Sequence, residues 1–416
     1  MSDSRLAPYA VTELNSRGRV YEVEPAQDRT PFQRDVARLE HSRAWRRLHG
    51  KTQVFSATDT SQERTRMSHS IEVKQYARAV ARQLRLNEDL CEALAIGHDL
   101  GHPPFGHMGQ DILNQLMAEH GGFEHNYQVL RLVDKLDSPY IEHRGLNLTF
   151  EVREGLLKHC SYERALTLGD VARRHVDGTS PPLEVQVVDC CDSIAYLHGD
   201  LEDAFNRRIV PLELLKTAPG FMDAWGRLLD NPRYSYLTFP SEADLSPQAH
   251  VERQRQATAC VYATLREMAS YATSDLIQQS RSNIQCAQVR SLDDVRRARP
   301  LIQFSDDYLK QHQALRAFSR RHIYENPHIA VVRAEQARAL TALFHAYVRD
   351  PREMSGRGPA PDEDLYRSVT DHIAGMTDGY AMNEHARLLA HRPELLIVPS
   401  VPTSADDPPR LRGRRP

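Results

Sequence analysis

The run His98-Asp99-Leu100-Gly101-His102-Pro103-Pro104-Phe105-Gly106-His107 places three histidines and one aspartate within ten residues. Imidazole nitrogens and carboxylate oxygens together suit Mn, Fe, Co, Mg or Zn, and a divalent ion with an open position activates water for hydrolysis. The His98-Asp99 pair alone says little, because a helix-terminal histidine followed by a capping aspartate reads the same way. Three neighbours add weight to it. His69 follows closely on Arg64 and Arg66 at the start of an apolar-periodic segment. Asp192, Tyr196 and Asp200 recur at every fourth position, so they project from one face of a helix, with Asp189 close to that face. The Gly-His-Pro-Pro-Phe-Gly-His segment is a rigid turn that presents side chains rather than packing them.

The elements that must position these groups are helical. Of the 416 residues, 40% are hydrophobic, 26% charged and only 7% aromatic, with Ala, Leu, Arg and Glu prominent. The net charge of -3 gives no global attraction to nucleic acid or anionic membrane, so any anion site is local. Cys91, Cys160, Cys190, Cys191, Cys260 and Cys286 form no CxxC pair and read as reduced thiols of a cytoplasmic protein. No apolar run reaches 18 residues and the N-terminus lacks an apolar leader core, so no membrane association is expected.

Residues 1–28 read as a polar surface arm. Thr30-Pro31 then opens a segment to His49 with Phe32, Val36, Leu39 and Trp45 facing inward. Helices are expected over Ser70–Leu84, from Asn87 to the Gly101-Pro103 break, over Met108–Glu119, His125–Leu136 and Glu151–His159, and over Leu183–Asn206, the longest. Further helices fill 210–350, where Ser291–Phe304 allows a short strand. Asp350–Asp364 reads as a loop, Leu365–His391 as helix, and 402–416 as a disordered Pro/Arg-rich tail. The expectation is an all-α protein with one large domain, 29–401, and minor short strands or irregular loops. Its metal core spans about 60–205 and a helical C-terminal part about 206–401.

Seven stretches in order, TPFQRDVARLEHSRAWRRLHGKTQVF (30–55), RTRMSHSIEV (64–73), GHDLGHPPFGHMGQDIL (97–113), GGFEHNYQVLRLV (121–133), GLNLTFEVREGLLKH (145–159), DSIAYLHGDLEDA (192–204) and IAGMTDGYA (373–381), resemble the HD-domain deoxynucleoside triphosphate triphosphohydrolases, the dGTPase-like family. The resemblance implies an HD-domain helical fold and a divalent metal (Mn, Mg, Co, Fe or Ni) held by His69, His98, Asp99 and Asp192, with Asp189 as competitor for the last place. It implies hydrolysis of a dNTP at the α-phosphorus to deoxynucleoside and inorganic triphosphate. Arg66 and His102 would face phosphate, and Tyr196 the sugar or a phosphate. Gln53 and Asp200 would bind the 3'-hydroxyl, His107 would be the general acid, and His125 would support the phosphate or a proton relay. Arg64 is either a phosphate contact or structural. The resemblance also implies a homo-oligomer, a hexamer first, with a nucleotide effector or single-stranded DNA as further partners.

One departure stands out. The family commonly has an acid three residues after the catalytic histidine, and here that residue is Gln110. Asp111, one helical turn from His107, is the expected substitute, so Asp111→Ala is expected to impair turnover more than Gln110→Ala. Two other readings compete. One is a different HD-type nucleotide phosphohydrolase. The other is a nucleotide-sensing or single-strand-binding protein of weak or conditional activity, for which Gln110 and the basic tail (Arg410, Arg412, Arg414, Arg415) would speak.

Overall fold

Two capped helices and one long apolar helix make the heart of the molecule. The Thr65 hydroxyl accepts from Ser68 N and starts helix Arg66–Leu84. Asn87 accepts from Leu90 N and starts Glu88–Gly97. The third, Leu183–Asn206, runs for 24 residues. In the computed structural model, which describes residues 6–24, 26–55, 64–239, 247–354 and 363–396, these three helices pack on one another. Val73, Ala77, Val80, Leu90, Leu94, Val187, Cys191 and Ile194 line the seam and are buried. Removing a large aliphatic side chain from water is worth about 1.5–3 kcal/mol. The seam therefore sets where the polar positions of the three helices meet.

The architecture is all-α. The only β pairing among the described residues is two isolated bridges, Arg19 with Thr149 and Thr52 with Thr65. The short strand allowed for Ser291–Phe304 does not form. Helix Leu292–Arg297 stands there instead, because Ser291 caps it and Asp293 and Asp294 sit in its first turn, where the helix dipole favours acids. The segment opened by Thr30-Pro31 and the helix expected over Leu365–His391 are each divided by an internal cap. Ser42 separates Pro31–Glu40 from Arg43–Arg47. Thr377 opens Asp378–His391 after Leu365–Ala374.

Residues 6–24 carry no helix, and the surface arm that the sequence suggested is only partly on the surface: Leu14, Val20 and Tyr21 are exposed, but its first part is pinned down. Ala10 and Val11 are fully buried. Val11 N donates to Glu184 Oε1 at 3.0 Å, and Arg19 pairs with buried Asp35 at 2.5 Å. Small apolar residues and backbone amides anchor a segment whose composition alone reads as polar. The tail at 402–416 lies outside the described residues, as does 355–362 of the expected loop.

Two further apolar clusters complete the walls around the metal-core helices. Helix Gly106–Leu116 packs through Leu113 against Leu340, Phe344, Tyr347 and Ile373. Phe55, Leu197 and Leu201 pack with Val261, Leu265, Leu315 and Phe318. Polar links cross between the N- and C-terminal parts. Lys51 Nζ donates to the carbonyls of His102 (2.5 Å) and Ala374 (2.7 Å). The Asp378 carboxylate accepts from Thr52 N at 3.1 Å, from the Thr52 hydroxyl and from Phe105 N at 2.9 Å.

Candidate active site

The cap at Thr65 puts Arg66 in the first turn of its helix and His69 one turn along. Helix Glu88–Gly97 ends at His98, whose Nδ1 lies 2.7 Å from the Ala95 carbonyl. That carbonyl fixes the proton on Nδ1 and leaves the Nε2 lone pair open. His98 Nε2 is buried without a hydrogen-bond partner. Burial also pushes the ring's pKa down, which keeps it neutral and ligand-ready. One ligand atom from each of His69, His98 and Asp99 lies within 4.8 Å of the others. Asp192, from the long helix, brings Oδ1 to 3.0 Å from His69 Nε2 and 3.7 Å from His98 Nε2. An open imidazole lone pair beside the buried Asp99 and part-exposed Asp192 carboxylates is a donor set that a divalent cation fits.

Cations surround this floor. Arg66 Nη1 donates to Asp99 Oδ2 at 2.8 Å. Lys158 Nζ reaches Asp192 Oδ2 at 2.8 Å and Asp189 Oδ1 at 3.1 Å. Asp189 therefore meets the lysine, while Asp192 is the carboxylate that reaches the imidazoles. Burial would raise the Asp192 carboxyl, but Lys158 and His69 hold it well below the usual carboxylate range. Arg64 is occupied by Glu72 (3.0 Å), Glu202 (3.1 Å) and Asp203 (2.6 Å), so of its two expected roles it fills the structural one.

The floor opens into a cavity of about 750 Å³. Gln53, Arg66, His102, His107, Asp111, His125, Tyr196 and Asp200 all line it, as do the four metal candidates. The turn that carries the histidines needs glycine at two positions. A Cβ on Gly101 would collide with the His125 carbonyl oxygen, and one on Gly106, at φ +60°, would lie 2.9 Å from Arg66 Nη2. Asp200 Oδ2 accepts from the Tyr324 hydroxyl, while its Oδ1 and Gln53 Oε1 are buried without partners. Burial raises Asp200 to about 7.

The histidines of the turn form a second cluster. The His102 and His125 rings stand 4.0 Å apart, centre to centre, with His107 at 5.4 Å and 6.3 Å from them. Burial, then Arg66, holds His102 well below the usual histidine range. Gln110 corrects the sequence reading. Its Oε1 turns to His125, accepting from the backbone N at 3.1 Å and lying 2.6 Å from Nδ1. Asp111, the expected substitute, is exposed at the rim, where partial burial raises its pKa. The helix rotates Gln110 towards His125 and leaves Asp111 a further ~100° around it.

Several lining residues were not singled out from the sequence. Lys158 ended a family-like stretch but stood beside no recognised ligand. Tyr324, Arg316, Arg320, Arg333 and Gln336 come from the C-terminal part and reach the cavity only through folding. Their signal was the dense arginine content of 316–333.

The HD domain matches residues 66–197, and the phosphohydrolase-associated domain matches 302–387. A protein of Thiobacillus denitrificans is 44% identical over 385 residues, covering 92% of this chain and 97% of its own. One of Ralstonia nicotianae is 42% identical over 389 residues, covering 93% and 95%. Both are named deoxyguanosinetriphosphate triphosphohydrolase-like protein. A protein of Mesorhizobium japonicum with the same name, numbered 1, is 39% identical over 413 residues, covering 94% and 96%.

Proposed function

The chain belongs to the HD-domain family of deoxyguanosinetriphosphate triphosphohydrolase-like proteins, and from that membership we propose that it hydrolyses deoxynucleoside triphosphates at the α-phosphorus, releasing deoxynucleoside and inorganic triphosphate. The observation that carries the reading is the His69-His98-Asp99 cluster on the floor of a 750 Å³ cavity whose walls bring in Arg66, Lys158 and His102. His69, His98, Asp99 and Asp192 are the residues that would hold a divalent metal. Such an ion, when bound, lowers the pKa of water and polarises a phosphoryl oxygen.

The remaining work falls to the chain. Arg66 and Lys158 neutralise the polyphosphate, and Arg66 adds a planar fork of donors suited to phosphate oxygens. Neutral His102 donates a hydrogen bond to phosphate without adding charge. His107 gives its proton to the departing 5'-oxygen. Gln53 and Asp200 bind the sugar 3'-hydroxyl. A ligand hydroxyl donates its one proton to one of their unpartnered buried oxygens, and a ligand lacking it leaves that oxygen unpaired. Tyr324 holds Asp200 in place for that contact.

The test is one product assay. Each dNTP and one NTP are incubated with Mn, Mg or Co, and nucleoside and phosphate products are separated. Triphosphate with deoxynucleoside supports the reading. Orthophosphate in place of triphosphate refutes it in favour of another HD-type phosphohydrolase. Nucleotide binding without turnover under every metal refutes it in favour of a sensor.

A further inference from the structure

We propose that Glu124 is a positioning residue for His125, placing beside its Nδ1 the negative charge that Gln110 cannot supply; the inference rests on the phosphohydrolase reading above. Two acceptors from different elements converge on that nitrogen. Gln110 Oε1, on helix Gly106–Leu116, lies 2.6 Å from it. Glu124 Oε1, at the start of helix His125–Arg131, lies 3.1 Å from it. The amide of Gln110 is not free to turn round, because the same oxygen accepts from the backbone N of His125 at 3.1 Å. Nδ1 therefore carries hydrogen, and Nε2 is the nitrogen left to exchange a proton or meet a phosphate oxygen.

The glutamate is itself held rigidly. Its Oε2 accepts from Tyr127 N at 3.1 Å, capping the helix, and its Oε1 accepts from Asn126 Nδ2 at 2.6 Å. Burial pushes its pKa up, but His125 and the amides of Asn126 and Tyr127 bring it below the usual range, so it is a carboxylate at neutral pH. His102 packs on the other face of His125 at 4.0 Å, with His107 beyond. Arg66 acts on His102, and Cys160 feels the charges of both Glu124 and Arg164. Asp111 is at the exposed rim. Of the two acceptors within 3.1 Å of Nδ1, Glu124 is thus the one that carries charge. As Nε2 takes up or releases a proton, the ring gains or loses one positive charge. An amide dipole answers that change weakly and a carboxylate strongly. The acid absent at 110 is present at 124.

The experiment measures kcat and KM for dNTP hydrolysis in wild type, E124Q, Q110E and the E124Q/Q110E double variant, with melting temperature alongside. E124Q is expected to lower kcat about tenfold while KM stays within about twofold, since outer partners of a working histidine typically act on turnover. The double variant, which returns an acid to the same nitrogen, is expected to recover kcat to within about threefold of wild type. An unchanged kcat in E124Q, or a double variant no better than E124Q, overturns the proposal. If E124Q unfolds, E124D and E124N carry the test. Both residues cap helices well, but only the first is charged. E124D must retain more kcat than E124N, and equal losses overturn the proposal. A wild-type enzyme that releases no triphosphate from any dNTP refutes the phosphohydrolase reading itself, whatever the variants do.

Discussion

Glu184 opens the long helix that carries Asp192, and replacing it by glutamine should remove a distinct pH dependence from stability. Its carboxyl is fully buried; Oε1 accepts from Val11 N at 3.0 Å and from Asn87 N at 3.1 Å, while Oε2 has no partner. Burial raises its pKa from 4.5 to about 7, against the pull of those amides and of Arg296. Between these two values the folded chain binds more protons at this site than the unfolded chain. The contribution of Glu184 to stability is therefore fully present below about pH 4.5 and is lost as pH rises through about 7. At about 1.4 kcal/mol per pH unit the loss comes to about 3 kcal/mol. The glutamine side chain of the E184Q variant would keep the two amide contacts through its oxygen and bury an unpaired NH2, a cost that does not change with pH. Urea unfolding of wild type and E184Q at pH 5, 6, 7 and 8, with chelator present, measures the difference. The variant should gain about 3 kcal/mol on wild type from pH 5 to pH 8. Parallel curves would refute the assignment of a protonated carboxyl to this site.

Three further outcomes follow from the site. Gln110→Ala should lower turnover more than Asp111→Ala, the reverse of the order read from sequence, because Gln110 holds His125; steady-state kinetics on the pair decides it. Lys158→Met leaves Asp189 without its lysine and Asp192 with His69 alone; both carboxylates are part-exposed, so it should cost the metal-free protein about 1–3 kcal/mol. Thermal shift with chelator and then with Mn should show a larger rise for the variant than for wild type, and equal rises would count against the lysine as counter-charge. Tyr324→Phe frees the Asp200 carboxylate and should raise KM for dNTP roughly tenfold with little change in kcat. A fall in kcat at constant KM would assign Tyr324 to the chemical step instead.

How far the chain could be read before folding depended on how local each signal was. His98 and Asp99 end a helix whose cap, Asn87, and apolar run are adjacent in sequence, so their place at a helix end was legible. The common face of Asp192, Tyr196 and Asp200 followed from helical periodicity alone. Gln110 was misread because spacing along one helix identified its neighbour as His107, whereas its partner, His125, belongs to a later helix. Lys158 and Tyr324 were invisible for the same reason. Each acquires meaning from a carboxylate far away in sequence, Asp192 for one and Asp200 for the other. The anchoring of residues 6–24 escaped because part of it is by backbone amides, which carry no residue type to recognise, and because Arg19 meets its partner Asp35 only through folding.

The buried Lys51 ammonium, shared between the carbonyls of His102 and Ala374, also bears on modularity. The HD-domain match ends at residue 197, which invites a minimal catalytic fragment. Such a fragment would strip away one of the two carbonyls on Lys51. It would also remove the Asp378 carboxylate that receives Thr52 and Phe105, leaving their polar groups unpaired and the ammonium with the His102 carbonyl alone beside the histidine turn. Phe105 sits at φ +65°, a conformation its own side chain disfavours and its surroundings must enforce. The boundary at 197 therefore marks only the end of the HD-domain match, and the unit that can be inherited, transplanted or trimmed extends through the helices of the C-terminal part.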